Sequence, residues 1–226
     1  MMLRIPALLS PDEVRQCRQA LEQAPWQDGR ATAGPLAAQV KANLQLPLDS
    51  QAGQAIGNLI LDKLGASALF MSATLPLKVL PPRFNRYEGG GTYGNHIDNA
   101  IFTIPGTAIK VRSDVSTTVF FSDPDEYEGG ELMVQDTYGE QSVKLAAGDA
   151  IIYPGTSLHR VNPVTRGTRY ASFFWTHSLI KSAEQRRLLF DLDQSIQQLT
   201  QEQPGHARIA SLSGTYHNLL RMWSEA

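Results

Sequence analysis

Cysteine is nearly missing from this chain of 226 residues: Cys17 is the only one, so no internal disulfide and no thiolate metal cluster can form. It is expected on a helix face as a small apolar residue. Long apolar runs are absent too, and no stretch approaches the roughly 20 residues that a membrane helix needs. The opening segment from Met1 to Leu9 is interrupted by Arg4 and Pro6 and reaches Ser10-Pro11-Asp12 at once, too short for the core of a signal peptide. Charge of one sign is lacking as well. Twenty Lys and Arg face 22 Asp and Glu, a formal charge of −2, which gives no basic field for nucleic acid or an anionic membrane. Internal repeats, low-complexity tracts and long linkers are likewise missing. These absences lead to the expectation of a cytoplasmic protein with no nucleic-acid and no membrane partner. What remains, 42% hydrophobic and 19% charged residues, is ordinary for one globular domain with its own core, or a domain with a small appendage.

The periodicity changes twice along the chain. Ser10-Pro11-Asp12-Glu13 combines a Ser cap, Pro at the first helical position and Glu three after the cap, and Val14, Cys17 and Leu21 follow at helical spacing. A helix is expected over 11–24, then a strand from Trp26 to Ala33 with a turn or bulge at Asp28-Gly29. Asp49 or Ser50 caps a second helix with Ile56, Leu59, Ile60 and Leu64 on one face, stopping near Gly65. From about Leu69, short segments rich in Val, Ile, Phe, Tyr and Thr alternate with Gly, Pro and Asp. Strands are expected at 69–73, 77–87, 93–99, 115–122, 130–136, 142–145, 149–153, 157–161 and 168–177, with a loop around Ile104-Pro105-Gly106 near the mouth of the fold. After Thr176 the helical period returns. Ser182 and Gln185 resemble a capping box, Leu188, Leu189, Leu192, Ile196 and Leu199 form one stripe, and Gln203-Pro204-Gly205 breaks the chain. Ile209, Leu212, Tyr216, Leu219, Leu220 and Trp223 then form a second stripe. The expected fold class is α+β, mainly β: a double-stranded β-helix (jelly roll) with supporting N-terminal helices and a C-terminal helical hairpin. Residues 1–178 would be the jelly-roll domain and 179–226 the hairpin, whose stripes would pack on the core or on a second copy of the chain in a homo-oligomer.

Two stretches carry chemistry. On a strand, residues i and i+2 point to the same side, so His96 and Asp98 would present an imidazole and a carboxylate to one interior point. His159, which follows the turn, strand and turn of Gly148 to Gly155, would add a second imidazole. Two His and one carboxylate on one face of a metal leave three positions open, as in non-haem Fe(II) oxygenases. Alone, His-x-Asp is a weak signal, because a lone His more often sits in a core or in solvent. A glycine-rich bend before His96, with Tyr87 and Tyr93 at its flanks, strengthens it. So does Arg169, ten residues beyond His159, where the next antiparallel strand would pass back beside it. A buried Arg needs an anion, and its planar fork binds a carboxylate bidentately. Either it holds a dicarboxylate whose other end chelates the metal, or it forms a structural pair with Asp149 or another acid.

The pattern Arg-Tyr-x-x-Gly-x-x-Tyr-x-x-His-x-Asp over 86–98, with Gly-Gly-Glu-Leu at 129–132, His159 and Arg169, resembles the prolyl/lysyl-hydroxylase class of Fe(II)/2-oxoglutarate dioxygenases. With Ser122 to Asp125, Tyr153-Pro154 and Ala171 to Trp175 it is similar to the bacterial PKHD-type hydroxylases of the YbiX/PiuC kind, closely over about 75–180. The resemblance implies that His96, Asp98 and His159 bind iron, that Arg169 binds the far carboxylate of 2-oxoglutarate, and that Tyr87 touches the same cosubstrate. It implies hydroxylation of a small-molecule or peptide substrate, with 2-oxoglutarate decarboxylated to succinate and ascorbate as reductant. One departure stands out. Animal relatives often carry tyrosines on the strand matching Val119-Phe120-Phe121, one of which assists the Arg; here both are Phe, so Arg169 would carry more of the anchoring.

Gly89, Gly91 and Gly94 also satisfy Gly-x-Gly-x-x-Gly, but a dinucleotide site requires that loop to open a helix. Residues 95–110 lack a helical stripe and contain Pro105-Gly106, so the match is read as accidental. His177, His206 and His217 have no carboxylate at ligand spacing and are read as surface or structural residues. Two alternatives use the same three ligands: a cupin-like metalloenzyme that does not use 2-oxoglutarate, for which Zn²⁺ is chemically reasonable, and a non-catalytic module with a structural metal.

Overall fold

The structure is a computed structural model that describes residues 1–32, 38–104 and 106–225. A short strand β1 (Leu3–Ile5) leads into helix α1 (Pro11–Glu22), which starts on a reciprocal capping box between Ser10 and Glu13 and buries Val14, Cys17 and Leu21. Strand β2 (Gln27–Asp28) is shorter than the sequence predicts. The Asp28 carboxylate accepts a hydrogen bond from the Arg30 backbone N–H at 2.9 Å, an Asx turn that diverts the chain into a 3₁₀ turn over Gly29–Thr32. Ala33, the expected end of that strand, lies outside the described residues. Strands β3 (Lys41–Ala42) and β4 (Leu44–Gln45) precede helix α2 (Gln51–Ala66), capped by Ser50 and buried through Ile56, Ile60 and Leu64.

The expected strand at 69–73 is instead helix α3 (Ala68–Thr74). Its apolar run suits either element, and Ser67 decides by accepting a hydrogen bond from the Phe70 N–H as an N-cap. The β region then follows: β5 (Pro76–Val79), β6 (Arg83–Glu88), β7 (Thr92–His96), β8 (Ile101–Thr103), β9 (Lys110–Arg112), β10 (Val115–Phe120), β11 (Tyr127–Gly129), β12 (Leu132–Asp136), β13 (Gly139–Val143), β14 (Ala150–Pro154), β15 (His159–Val161) and β16 (Val164–Ser178). Pro81-Pro82 splits the expected strand 77–87 in two, as residues without N–H groups must in a ladder. The described residues of the segment expected as a loop, Ile104 and Gly106, lie in the connection between β8 and β9, which pair as a hairpin with Phe102 opposite Val111; Pro105 lies outside the described residues.

Two antiparallel sheets face each other as a jelly roll. The larger runs β1-β14-β10-β16-β6-β4-β2 and the smaller β13-β12-β15-β7-β3. β10 is buried along its whole length because both of its faces are covered. Val119 and Phe121 point outward into a core shared with Leu21, Ile60, Leu64 and Phe70 of the N-terminal helices. Phe120 points inward, with Tyr87, Tyr127, Leu132, Val134 and Val161, to close one end of the space between the sheets. Burial of a side chain such as Ile60 contributes about 2–3 kcal/mol. The helices therefore stiffen the sheet that carries half of the cavity.

Beyond β16, helices α4 (Ala183–Glu202) and α5 (Arg208–Trp223) form the hairpin, and Tyr216, Leu219, Leu220 and Trp223 pack around Leu75, Ile180 and Leu189. The buried Arg186 guanidinium ties its root to the β core by donating to the carbonyls of Ile180, Lys181 and Asp114.

Candidate active site

The glycine-rich bend is a tight turn from β6 to β7, with Gly89 and Gly90 at φ +56° and +88°, a region that costs little only without a Cβ. It opens no helix, so the dinucleotide reading is excluded by geometry. β7 ends at His96, two residues earlier than the His-x-Asp pair needs to lie wholly on a strand. The backbone nevertheless stays extended long enough for the alternation to hold: His96 and Asp98 side chains are about nine-tenths buried, at 9% and 10% exposure, while Ile97 between them is 59% exposed.

The second histidine arrives by strand pairing. β15 lies against β7 with His159 opposite His96, so both rings stand on the same inward face, 4.2 Å apart between centroids. His96 Nε2 lies 3.9 Å from one Asp98 oxygen and His159 Nε2 3.9 Å from the other. All three ligand atoms fall within 4.8 Å of one another, and among the described residues no other group of His, Cys, Asp and Glu converges in this way. His177, His206 and His217 take no part.

The surroundings prepare these donors for a cation. His96 Nδ1 lies 2.8 Å from the Gly94 carbonyl and His159 Nδ1 3.0 Å from that of Ser157. Carbonyls accept only, so each Nδ1 carries the proton and each Nε2 turns its lone pair inward. Burial, helped by the neighbouring His159, lowers the His96 pKa from 6.5 to about 4, which keeps that lone pair available. Asp98 spends one lone pair on the Ser116 hydroxyl, which donates at 2.7 Å. Tyr93 stacks on His96 at 3.6 Å and Tyr153 meets His159 edge-on at 5.2 Å, fixing both ring planes. Burial and the charge of Asp98 push the Tyr153 phenol upward, so it stays protonated.

These residues open onto a cavity of about 550 Å³ between the sheets. Arg169 lies in its wall, but not where the sequence suggests. The Asn162-Pro163 corner carries the chain from one sheet to the other, so β16 does not pass back beside β15. It pairs with β6 and β10, and Arg169 faces the histidines across the cavity from opposite Tyr87. Its side chain is 2% exposed, and among the described residues no carboxylate comes within 4.0 Å of it. Asp149, the structural partner considered above, is taken by Arg4 at 2.6 Å and by the Ala7 N–H. The Arg169 guanidinium instead rests over the rings of Tyr87 and Phe120, at 5.3 and 5.2 Å. Asn85 donates to the Tyr87 hydroxyl at 3.1 Å and accepts from Gln45 at 2.7 Å, which holds the phenol in the cavity wall.

Ser116, Tyr153 and Tyr127 were not among the sequence-predicted site residues. Tyr127 places its hydroxyl near Arg169 without hydrogen-bond geometry. Its position in a Tyr-x-Gly-Gly turn gave no periodic signal.

The sequence of residues 82–177 matches the model of the 2OG-Fe(II) oxygenase superfamily, and residues 184–225 match the PKHD-type hydroxylase C-terminal domain. The chain is 90% identical over 226 residues to a PKHD-type hydroxylase of Delftia acidovorans, covering all of both chains. It is 59% identical over 225 residues to the PKHD-type hydroxylase PiuC of Pseudomonas aeruginosa, again covering all of both. Among solved structures, a Pseudomonas putida prolyl-4-hydroxylase superposes with a TM-score of 0.52 at 20% identity, covering 78% of this chain and 92% of that one. A prolyl hydroxylase of Trichoplax adhaerens, in complex with a hypoxia inducible factor peptide fragment, reaches 0.59 at 14% identity, covering 83% and 86%. These likenesses support the jelly-roll fold. With the two-His, one-carboxylate cluster in place, the chain belongs to the PKHD-type hydroxylases and is an Fe(II)- and 2-oxoglutarate-dependent dioxygenase.

Proposed function

We propose that His96, Asp98 and His159 hold the Fe(II), that Arg169 grips the far carboxylate of 2-oxoglutarate, and that Tyr87 donates a second hydrogen bond to the cosubstrate. The observation that carries this reading is the buried, acid-free Arg169 facing three convergent ligand atoms across one cavity. A buried guanidinium is tolerated when an anion completes it, and its fork matches a carboxylate. Fe(II), when bound, supplies the oxidising chemistry by which dioxygen converts 2-oxoglutarate to succinate and carbon dioxide while a substrate C–H bond is hydroxylated. The chain's own contribution is positional. The Nδ1–carbonyl bonds and the Tyr93 stack fix the imidazoles, Ser116 steadies Asp98, and Arg169 with Tyr87 sets the keto acid's orientation. The aromatic walls exclude water.

Ascorbate is the proposed reductant. The substrate is a small molecule or peptide. Residues 1–178 are taken as the catalytic domain and 179–226 as an appended hairpin, and Leu188 and Met222, at 59% and 74% exposure, support a homo-oligomer through its helices. A cytoplasmic location suits the lone, buried Cys17, whose thiol burial pushes up to about 11 and so out of ready oxidation. The test is succinate formation after anaerobic loading with Fe(II) and 2-oxoglutarate followed by admission of oxygen. Wild type turns over, and His96→Ala falls to background; full turnover in that variant overturns the ligand assignment.

A further inference from the structure

The cavity contains a second arginine that the cosubstrate does not explain. Arg83 stands on β6 two residues before Asn85 and four before Tyr87, and all three line the cavity because alternate residues share a face. It pairs with Phe173 as Tyr87 pairs with Arg169. The two arginines thus root at opposite ends of one strip, about 13 Å apart along the strand.

Around Arg83 the wall is aromatic. Its guanidinium carbon lies 5.5 Å from the Trp175 ring centre and 5.9 Å from that of Phe102. Phe102 stacks on Trp175 at 4.0 Å, and Phe173 meets Trp175 edge-on at 5.5 Å. Among the described residues no carboxylate lies within 4.0 Å of Arg83. Residues 33–37, 105 and 226 are Ala, Gly, Pro and Leu, so they contribute no acidic side chain. Lys41 lines the same cavity, its pKa lowered to about 8 by burial and by the charge of Arg83. Of the charged residues lining the cavity three are basic, and the only acid is Asp98, which faces the two histidines. 2-Oxoglutarate bound at Arg169 leaves Arg83 without a carboxylate partner among the described residues.

Distance sets the size of what would fit. Ser116, which holds Asp98, is on β10; β16 separates β10 from β6, and Arg83 is level with Thr118, so it lies two strand spacings across and two residues along from Ser116, about 12 Å away. That span, and a cavity of about 550 Å³, suit a compact small molecule. Resting on the assignment of the cosubstrate to Arg169, we propose that Arg83 anchors the primary substrate, and that this substrate is a small organic acid whose carboxylate pairs with Arg83 and whose apolar body lies along Phe102, Phe173 and Trp175.

The test uses enzyme loaded anaerobically with Fe(II) and saturated with 2-oxoglutarate, so that Arg169 is occupied. Three carboxylates (3-phenylpropionate, 4-hydroxyphenylacetate and indole-3-acetate) are titrated by calorimetry against their primary amides. In wild type at least one acid should bind about tenfold to hundredfold tighter than its amide, the range for a hydrogen bond to a charged group. Arg83→Gln should erase that preference and Arg83→Lys should retain part of it, since the charge stays and the fork is lost. Should the Gln variant not fold, the Lys variant carries the test, and an undiminished preference in it counts against the anchor. No acid-over-amide preference in wild type, or a full preference in Arg83→Gln, overturns the proposal. Lack of 2-oxoglutarate-dependent succinate formation in wild type would overturn the cosubstrate assignment instead, and is read separately from these binding ratios.

Discussion

Arg169 and Arg83 extend from neighbouring strands into one cavity, and neither meets a carboxylate of its own chain among the described residues. Their surroundings differ. Arg169 is 2% exposed, lies over Tyr87 and Phe120, and has phenol hydroxyls beside it. Arg83 is half-buried against Phe102 and Trp175 with no phenol beside it. The contrast shows how one strip of sheet can separate two tasks. A deep cation framed by hydrogen-bonding groups fixes a ligand of one size and shape, whereas a shallower cation on an aromatic wall fixes one charge and leaves the rest of the ligand to apolar contact.

The comparison breaks most directly at the deep end. Arg169→Ala should raise the 2-oxoglutarate concentration needed for half-maximal succinate formation about a hundredfold, the cost of a bidentate, charge-assisted pair. An unchanged requirement would mean that the two arginines do not differ in role. The next effect lies between them. Ser116→Ala removes the 2.7 Å hydrogen bond that steadies Asp98 and should weaken Fe(II) about tenfold, within the usual range for a group that orients a metal ligand. Competition against a chromogenic chelator measures this, and equal affinity would confine the Ser116 role to the fold.

The deep end was far more legible in the sequence than the shallow one. His96, Asp98, His159, Arg169 and Tyr87 could be gathered because strand alternation and chain order constrain them, and the structure brings all five to one cavity. The sheet crossing at Asn162-Pro163 was not legible. A two-residue corner reads equally well as a hairpin, and only the burial of both sheets' inner faces decides between them. Helix α3 is illegible for a similar reason, since a short apolar run has no period of its own and only the Ser67 cap marks it as helical. Arg83 gave no signal at all. It follows Pro81-Pro82 in a segment that reads simply as a strand, and its meaning rests on Phe102, nineteen residues later, and Trp175, on β16 beside it.

The smallest expected effect sharpens the contrast through stability rather than activity. A buried cation without a protein partner opposes folding until an anion arrives. Arg169→Met should therefore raise the ligand-free unfolding free energy by on the order of 1 kcal/mol, net of the ring contacts it gives up, and Arg83→Met by less, because Arg83 keeps more contact with water. Binding then reverses the order at the deep end. With Fe(II) present anaerobically and 2-oxoglutarate at a hundredfold its dissociation constant, wild type gains about 2.7 kcal/mol, while Arg169→Met gains little and falls below it. Urea midpoints with and without 2-oxoglutarate measure both changes. If Arg169→Met is destabilised without ligand, the guanidinium is held by the folded chain itself, and its availability to an incoming carboxylate is lost as an argument.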